Sequence, residues 1–496
     1  MSSFSERVLL PRNLLPIHYD LVLTPDLAAF TFNTDLTINV DVNTSCNEVS
    51  LHSKELFIES CEFVSESQSL KMCGLNYDFK LNTVTIKFPE NMNVGKGSLK
   101  ILYRGILNSD MAGFYRSSYT DANGNKKIMG STQFEALDAR RAFPCWDEPA
   151  VKATFGVTFI VQSNYTVLSN MPESLCNYLP NNMKKISFGV TPKMSTYLLA
   201  WAVGEFDFVQ AVTKNGVSLR VYSPPGRAEQ GRFALDAGVR ALDFFDDFFK
   251  VPYPLPKLDM ICITEFAMGA MENWGLVTYR ESALMIDEAK ASAQAKQRVA
   301  VVVAHELAHQ WFGNLVTMTW WDGLWLNEGF ASYMEHLCTD ALYPEYRLWE
   351  QFTTDAMGAA QRLDALRTSH PIIVPIKHAE EVEQVFDAIS YSKGCTVVNM
   401  VAAIIGKAAF QKGLQNYMNR HAYGNTETAD LWAAWSEASG HDIAKIMSTW
   451  TTFMGYPYVT VVNEKWSATE VEITLKQSWF LADGSVEPDD SKRPLW

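Results

Sequence analysis

Two histidines near the middle of the chain are spaced so that one metal ion could bind to both. They belong to the pentapeptide His305-Glu306-Leu307-Ala308-His309. Residues four apart lie on one face of an α-helix, one turn from each other, so both imidazoles can bind the same zinc ion. The glutamate between them is placed to act as a general base on water held by that ion. The spacing therefore predicts zinc-assisted hydrolysis.

A catalytic zinc ion takes three protein ligands and leaves one position for water. Glu328 is the candidate for the third ligand, because it follows His309 after eighteen residues in the segment Trp325-Leu326-Asn327-Glu328-Gly329. A chance match is the alternative, since helices rich in Ala, Leu, Glu and His can produce the pentapeptide. The apolar residues 299–304 just before it predict a buried helix, however, and its polar side chains would then need partners. A metal ion would satisfy all of them.

Composition limits the kinds of partner that the chain can bind. The 496 residues are 47% hydrophobic and 20% charged, which is typical of globular chains with several domains. The formal net charge of −14 disfavours nucleic acid and anionic membrane surfaces as partners and suits a cationic ligand.

The eight cysteines include no CxxC pair, which predicts reduced thiols and a cytoplasmic location. The N-terminus lacks the apolar stretch of a signal peptide. Because no uninterrupted apolar run reaches the roughly 18 residues of a membrane-spanning helix, we expect no membrane span.

Hydrophobic periodicity divides the chain into three parts. Residues 1–210 show the alternation typical of strands, as at Leu36, Ile38 and Val40. Residues 211–454 are mainly helical, beginning with apolar spacing over Phe233–Phe249, so they predict an α+β catalytic domain. Alternation returns over residues 455–496, which predict three or four strands of a β domain too short to be complete.

Five blocks, in the same order along the chain, resemble the zinc aminopeptidase family of aminopeptidase N and puromycin-sensitive aminopeptidase. The blocks are Thr132–Glu135, Ala142–Pro149, Gly269–Asn273, His305–His309 with Glu328, and Phe386–Gly394. The similarity extends over nearly the whole chain and is greatest to the cytosolic puromycin-sensitive branch.

The resemblance implies a multidomain α+β fold. We expect an N-terminal antiparallel β saddle over 1–210, a thermolysin-like α+β catalytic domain over 211–454, and an incomplete β sandwich over 455–496. The helical C-terminal domain that covers the active site in relatives is expected to be absent.

The same resemblance implies roles for the residues of the site. His305, His309 and Glu328 would bind one Zn²⁺ per chain, and Glu306 would be the general base. Tyr391 would donate a hydrogen bond to the oxyanion that forms during hydrolysis. These roles imply an aminopeptidase that removes N-terminal residues from peptides.

The substrate-binding residues implied by the resemblance are Gln133, Glu135, Gly269, Ala270, Met271, Glu272 and Asn273. Glu272, aided by Glu135, would bind the free α-ammonium of a peptide and so place its first peptide bond over the metal. The backbone at Ala270 would pair with substrate like an added strand, and Gln133 would line the first side-chain pocket.

Three other functions remain open from the sequence. An endopeptidase could share the zinc residues, but it would not need Glu272 and Glu135. A sister branch with the same zinc motif opens epoxides of leukotrienes. The third alternative is a truncated, poorly active form that binds peptides or has a regulatory role. The sequence specifies no oligomeric state and implies no partner besides peptides.

Overall fold

The computed structural model describes residues 7–121, 123–485 and 495–496. The chain divides into two units. The larger unit comprises Val8–Trp320 and His421–Asn425, and the smaller one comprises Trp321–Arg420 with the described residues from Thr426 onward and Arg7. All eight cysteines are free thiols.

The first part of the larger unit is built almost entirely from strands. Its fifteen strands are Leu14–Asp26 (β1), Thr31–Val42 (β2), Cys46–His52 (β3), Phe57–Val64 (β4), Ser69–Lys71 (β5), Gly74–Asp78 (β6), Thr83–Met92 (β7), Gly95–Ile106 (β8), Gly113–Thr120 (β9), Lys126–Gln133 (β10), Thr154–Gln162 (β11), Thr166–Ser169 (β12), Glu173–Leu179 (β13), Met183–Phe188 (β14) and Trp201–Gly204 (β15). The alternation predicted for β2 is confirmed, because Leu36, Ile38 and Val40 are all buried.

These strands form three sheets. The largest has eight strands in the order β13-β14-β11-β1-β2-β8-β4-β5, and the others have the orders β12-β15-β10-β9 and β3-β7-β6. The expected antiparallel arrangement is wrong at one place, since β1 pairs with β11 in parallel. A long connection separates these two strands, and parallel pairing requires such a crossover.

A further sheet in the larger unit, with five strands, carries the strand next to the zinc-motif helix. Its strands are Asp207–Val212 (β16), Ser218–Ser223 (β17), Lys257–Ile263 (β18), Ala270–Met271 (β19) and Leu276–Arg280 (β20), in the order β16-β17-β18-β20-β19. Strands β17, β18 and β20 run parallel, and every residue of β18 is buried. A strand buried on both faces needs cover on both, and its two charged side chains, Lys257 and Asp259, are buried as an ion pair at 2.8 Å.

The helices of the larger unit are Arg232–Phe249 (α1), Glu281–Leu284 (α2) and Ala293–Ala308 (α3), and the short strand Thr317–Met318 (β21) follows them. The helical spacing predicted over Phe233–Phe249 is confirmed by α1. Ser292 precedes helix α3 and caps it, because its hydroxyl accepts a hydrogen bond from the Ala295 amide at 3.1 Å.

The smaller unit is mainly helical. Its helices are Trp325–Leu342 (α4), Leu348–Phe352 (α5), Gly358–Asp364 (α6), Gly394–His421 (α7), Thr428–Ser439 (α8) and Ile443–Thr452 (α9), and the strand Asn425–Thr426 (β22) lies between α7 and α8. Aromatic rings pack together in its core: Trp325 lies tilted against Trp432, and Trp435 stacks on both Phe330 and Phe410. A buried ion pair, Lys393 Nζ to Asp364 Oδ2 at 2.7 Å, joins α6 to the segment before α7.

The last described strands are Pro457–Trp466 (β23) and Val471–Trp479 (β24), which pair antiparallel. The predicted alternation here does form strands, but the described residues contain two rather than three or four. Both faces of the hairpin are largely exposed, including Val459 and Ile473.

One helical stretch, Ile389–His421, is long and apolar enough to pass a length-and-composition test for a membrane span. Core helices of globular proteins pass the same test. The stretch is interrupted at Gly406, where φ is +78°, and it carries the buried Lys393.

Candidate metal and peptide-binding site

The two histidines of the zinc motif lie where helix α3 ends. Val299, Ala300, Val303 and Ala304 bury the apolar face of the helix, which fixes the direction of its last turn. His305 belongs to that turn and His309 caps it. The Nε2 atoms of the two imidazoles are 3.1 Å apart. The helix therefore brings two ring nitrogens to one point, as their spacing predicts.

The hydrogen bonding of His309 tests whether these nitrogens suit a metal ion. Its Nδ1 lies 2.9 Å from the carbonyl oxygen of Phe312. A carbonyl can only accept, so Nδ1 carries the proton and Nε2 presents a lone pair. Two nitrogens bound to one tetrahedral zinc ion at about 2.0–2.1 Å would be about 3.3 Å apart. The pair fits a zinc ion, with a backbone carbonyl orienting His309 from behind.

Glu306 is buried on the same helical turn. Its negative charge acts on Tyr279 of strand β20: burial raises the pKa of the Tyr279 hydroxyl well above its ordinary value, and the Glu306 charge raises it further. Nothing in the sequence marked Tyr279 as a neighbour of Glu306. Its position one residue before the end of β20 gave no signal, because the contact depends on how the sheet packs against α3.

Glu272 follows directly after β19, the strand at one end of the five-stranded sheet. One of its carboxylate oxygens, Oε1, lies 3.8 Å from Nδ1 of His309. A carboxylate oxygen of Glu135 lies within 4.8 Å of one from Glu272. The structure thus brings two of the predicted ammonium-binding acids together beside the imidazole pair.

Ala270 and Met271 pair with Tyr279 and Thr278 along one edge of β19. The other edge of β19 has no partner strand among the described residues of this sheet. Such an edge can accept an extended peptide as an additional strand. Gly269 fixes the start of β19, because its carbonyl accepts a hydrogen bond from the Arg280 amide at 2.9 Å.

Asn273 lies in the turn after Glu272. Its side-chain amide donates a hydrogen bond to the Thr278 hydroxyl at 3.3 Å. Its main-chain carbonyl accepts a hydrogen bond from the Leu276 backbone amide at 3.0 Å. Gly275 completes the turn with φ +81°, and a Cβ there would lie 2.4 Å from the carbonyl oxygen of Asn170. Because Asn273 bonds within the turn, its predicted contact with substrate stays a prediction.

Gln133 and Glu135 lie where β10 ends and an irregular buried segment begins. The Gln133 side chain donates to the main-chain carbonyl of Glu135 at 3.3 Å. Between them, Phe134 is fully buried and packs edge-to-face on Trp201. Farther along the segment, Arg140 and Asp147 form a buried ion pair at 2.9 Å. These contacts hold the Glu135 backbone in place.

In the smaller unit, Glu328 and Tyr391 lie on two segments that pack directly against each other. Glu328 is buried in the first turn of α4, and Tyr391 belongs to the π-helical turn Ile389–Lys393 before α7. A Cβ on Gly329 would lie 3.0 Å from Cα of Gly394. Only glycines permit this approach, which places the two predicted functional segments side by side.

An ion pair that the sequence analysis missed begins the Tyr391 segment. Asp387 Oδ2 lies 2.8 Å from His370 Nε2, while Asp387 Oδ1 accepts hydrogen bonds from the amides of Ile389 and Ser390. His370 Nδ1 lies 2.7 Å from the Pro371 carbonyl. Because both ring nitrogens face acceptors, these contacts favour the doubly protonated, positively charged imidazole. A histidine before proline in a loop gave no sequence signal for this role.

Comparison with protein-family models gives two matches. Residues 15–198 match the peptidase M1 N-terminal domain, and residues 233–450 match the peptidase family M1 domain.

Similar proteins are found in several eukaryotes. The chain is 45% identical to puromycin-sensitive aminopeptidase of Caenorhabditis elegans, 48% identical to aminopeptidase M1 of Arabidopsis thaliana, and 45% identical to alanine/arginine aminopeptidase of Saccharomyces cerevisiae. These alignments cover 97%, 98% and 98% of this chain but 51%, 55% and 56% of the respective relatives. The chain therefore spans about half the length of the curated relatives that it matches.

Proposed function

Because the chain belongs to peptidase family M1, we propose that it is a zinc-dependent aminopeptidase that hydrolyses the first peptide bond of peptides. Peptides with a free N-terminus would be its substrates.

The pair of acids beside the imidazoles is the observation that carries this proposal. Glu272 lies 3.8 Å from His309, and Glu135 lies within 4.8 Å of Glu272. Two neighbouring carboxylates repel each other when both are ionised, and a cation between them would offset that repulsion. The α-ammonium of a peptide is such a cation, and its binding would hold the first peptide bond, rather than an internal one, next to the metal ligands.

Three residues would hold the zinc ion: His305 and His309, with Glu328 as the third ligand. When bound, zinc supplies a Lewis acid that polarises a carbonyl and lowers the pKa of water. Glu306 would take a proton from the attacking water and pass it to the leaving amine. Tyr391 would donate a hydrogen bond to the developing oxyanion, which is a contact stronger in the transition state than in the substrate.

The backbone of Gly269, Ala270 and Met271 would align the substrate. The unpaired edge of β19 supports this role, since an extended peptide could add to it as a further strand. Gln133 would line the pocket for the first side chain and Asn273 would contact the substrate amine region.

Domain organisation and location form part of the same proposal. We assign residues 1–210 to the N-terminal domain, 211–454 to the catalytic domain and 455–496 to a third, β domain. The free thiols of all eight cysteines suit a reducing compartment, so we propose a cytoplasmic location.

A matched pair of peptides tests the function. The purified chain, loaded with zinc, would be given one peptide with a free N-terminus and the same peptide acetylated there, beside a Glu306→Gln variant. We expect release of the first residue from the free peptide only, and no release by the variant. Cleavage of both peptides at internal bonds would instead show an endopeptidase.

The release of amino acids by the zinc-loaded chain also distinguishes an aminopeptidase from a non-catalytic form. If the zinc-loaded chain bound the free peptide but released no amino acid, it would be a peptide-binding or regulatory form. That result would contradict the proposed aminopeptidase activity of this chain.

A further inference from the structure

The main-chain carbonyl of Glu272 accepts hydrogen bonds from two buried side-chain amides. Gln310 Nε2 donates to it at 3.1 Å and Asn314 Nδ2 donates at 2.8 Å. Neither amide side chain is exposed to solvent. Two donors satisfy both lone pairs of the carbonyl, so its position relative to these side chains is well defined.

Both amides come from the segment that continues the zinc-motif helix. Gln310 directly follows His309, and its Nε2 also donates to the carbonyl of Glu306 at 3.0 Å. Asn314 is anchored to the same turn, because its backbone amide donates to the His309 carbonyl at 3.1 Å. The donors are therefore fixed to the residues that carry the imidazoles and the general base.

Gln310 also contacts the far side of the turn that follows β19. Its side-chain oxygen accepts a hydrogen bond from the Gly275 amide at 3.4 Å. One side chain thus connects Glu306, Glu272 and Gly275. This connection joins the strand that would bind the peptide N-terminus to the helix that would activate water.

We propose that Gln310 and Asn314 are positioning residues that set the distance from the ammonium site at Glu272 to the metal ligands. The inference rests on the proposed function and deepens it, because this distance decides which peptide bond reaches the hydrolytic groups. A free amine bound at Glu272 selects the first bond only while Glu272 stays in register with His305 and His309. A shift of about 1 Å is enough to lower a rate a hundredfold in an enzyme site.

A different result is expected if Gln310 and Asn314 have a purely structural role. If the amides only satisfy a buried carbonyl, removing them would lower stability, with an unpaired acceptor costing about 1–3 kcal/mol. The preference for a free amine would then be unchanged in the folded fraction. Ligand binding therefore separates the two roles.

The test uses near-isosteric variants that lack the donors, Gln310→Met and Asn314→Leu. Each is combined with Glu306→Gln and loaded with zinc, and calorimetry measures binding of leucinamide and N-acetyl-leucinamide. The matched control is Asn425→Leu, because Asn425 also donates to two main-chain carbonyls, those of Pro149 and Met318, at 3.1 Å each. Neither of its partners belongs to the candidate site.

We expect the parent and the control to prefer leucinamide, and the two variants to lose about tenfold or more of that preference. Zinc content should stay at one ion per chain in all four proteins. An unchanged preference in both variants, or an equal loss in Asn425→Leu, would overturn the positioning role.

Hydrolysis is measured separately, in variants that retain Glu306. We expect Gln310→Met and Asn314→Leu to raise KM for the free peptide and to lower its cleavage relative to the acetylated one. If the parent chain cleaves neither peptide, the proposed function fails, while the leucinamide comparison still decides whether the amides position Glu272.

Discussion

The Nε2 atoms of His305 and His309 lie 3.1 Å apart, and the proton on Nδ1 of His309 is directed at the Phe312 carbonyl. His309 Nε2 therefore presents a lone pair to His305 Nε2, and either a proton on His305 or a metal ion bound by both nitrogens would satisfy it. The proposed hydrolytic activity depends on metal binding at this pair.

Replacing either histidine should remove the metal. We expect His305→Ala and His309→Ala to reduce zinc from one ion per chain to a small fraction. Hydrolysis should fall more than about a hundredfold, since even changes behind metal ligands cost 10–100-fold. Metal analysis after dialysis checks the zinc content. His336→Ala is the control, because His336 bonds the Ser332 carbonyl within α4, and it should keep the metal.

Neutralising Glu272 should weaken recognition of the free amine. In Glu272→Gln the site loses a charge-assisted hydrogen bond of about 1.5–3 kcal/mol, so kcat/KM for a free peptide should fall about tenfold to a hundredfold. Glu229→Gln changes an exposed acid paired with Arg232 and should have no effect on activity. Equal kinetics for Glu272→Gln and the parent would contradict the role of Glu272.

The His370–Asp387 pair should make the stability of the Tyr391 segment depend on pH. Burial opposes the charged imidazole, but hydrogen bonds to Asp387 and to the Pro371 carbonyl outweigh it and raise the pKa of His370. Burial likewise opposes the charged carboxylate, but the hydrogen bond and charge of His370, together with hydrogen bonds from the Ile389 and Ser390 amides, outweigh burial and lower the pKa of Asp387.

The directions of the two pKa shifts define the pH range in which the ion pair stabilises the folded state. The His370 contribution is complete below its unfolded pKa of about 6.5 and is lost as pH rises through the higher folded value. The Asp387 contribution is present above about 3.9 and is lost as pH falls through the lower folded value. Thermal melts from pH 3 to 9 should show the largest difference between the parent and His370→Ala at about pH 4–6.5. A difference that does not vary with pH would rule out the ion pair.

The contact between Gly329 and Gly394 should not tolerate a methyl group. A Cβ on Gly329 would lie 3.0 Å from backbone atoms of Gly394, so Gly329→Ala should lower the free energy of unfolding by about 1–3 kcal/mol. Gly358→Ala is the matched control in a helix, because its nearest neighbour is the flexible Arg362 side chain at 3.4 Å. The control should be neutral or slightly stabilising by up to about 1 kcal/mol. Denaturant titration measures both.

The sequence by itself determined what depends on local spacing. Histidines four apart meet on one helical turn whatever surrounds them, and alternation identified strands such as β2 because side chains alternate between sheet faces. The same reasoning placed Glu328 as a ligand candidate, and the motif blocks identified Glu272 and Glu135 as acids of interest.

Only the tertiary structure decided how residues from separate segments meet. The 3.8 Å approach of Glu272 to His309 depends on how β19 packs against the end of α3, and no periodicity reports that distance. The hydrogen bonds from Gln310 and Asn314 to Glu272 arise from the same packing. The ion pair of His370 with Asp387 joins a loop to a helix start, and neither residue carries a local signal for the other. Spacing along one element is set by covalent geometry, whereas these contacts are set by how the buried surfaces of different elements fit together.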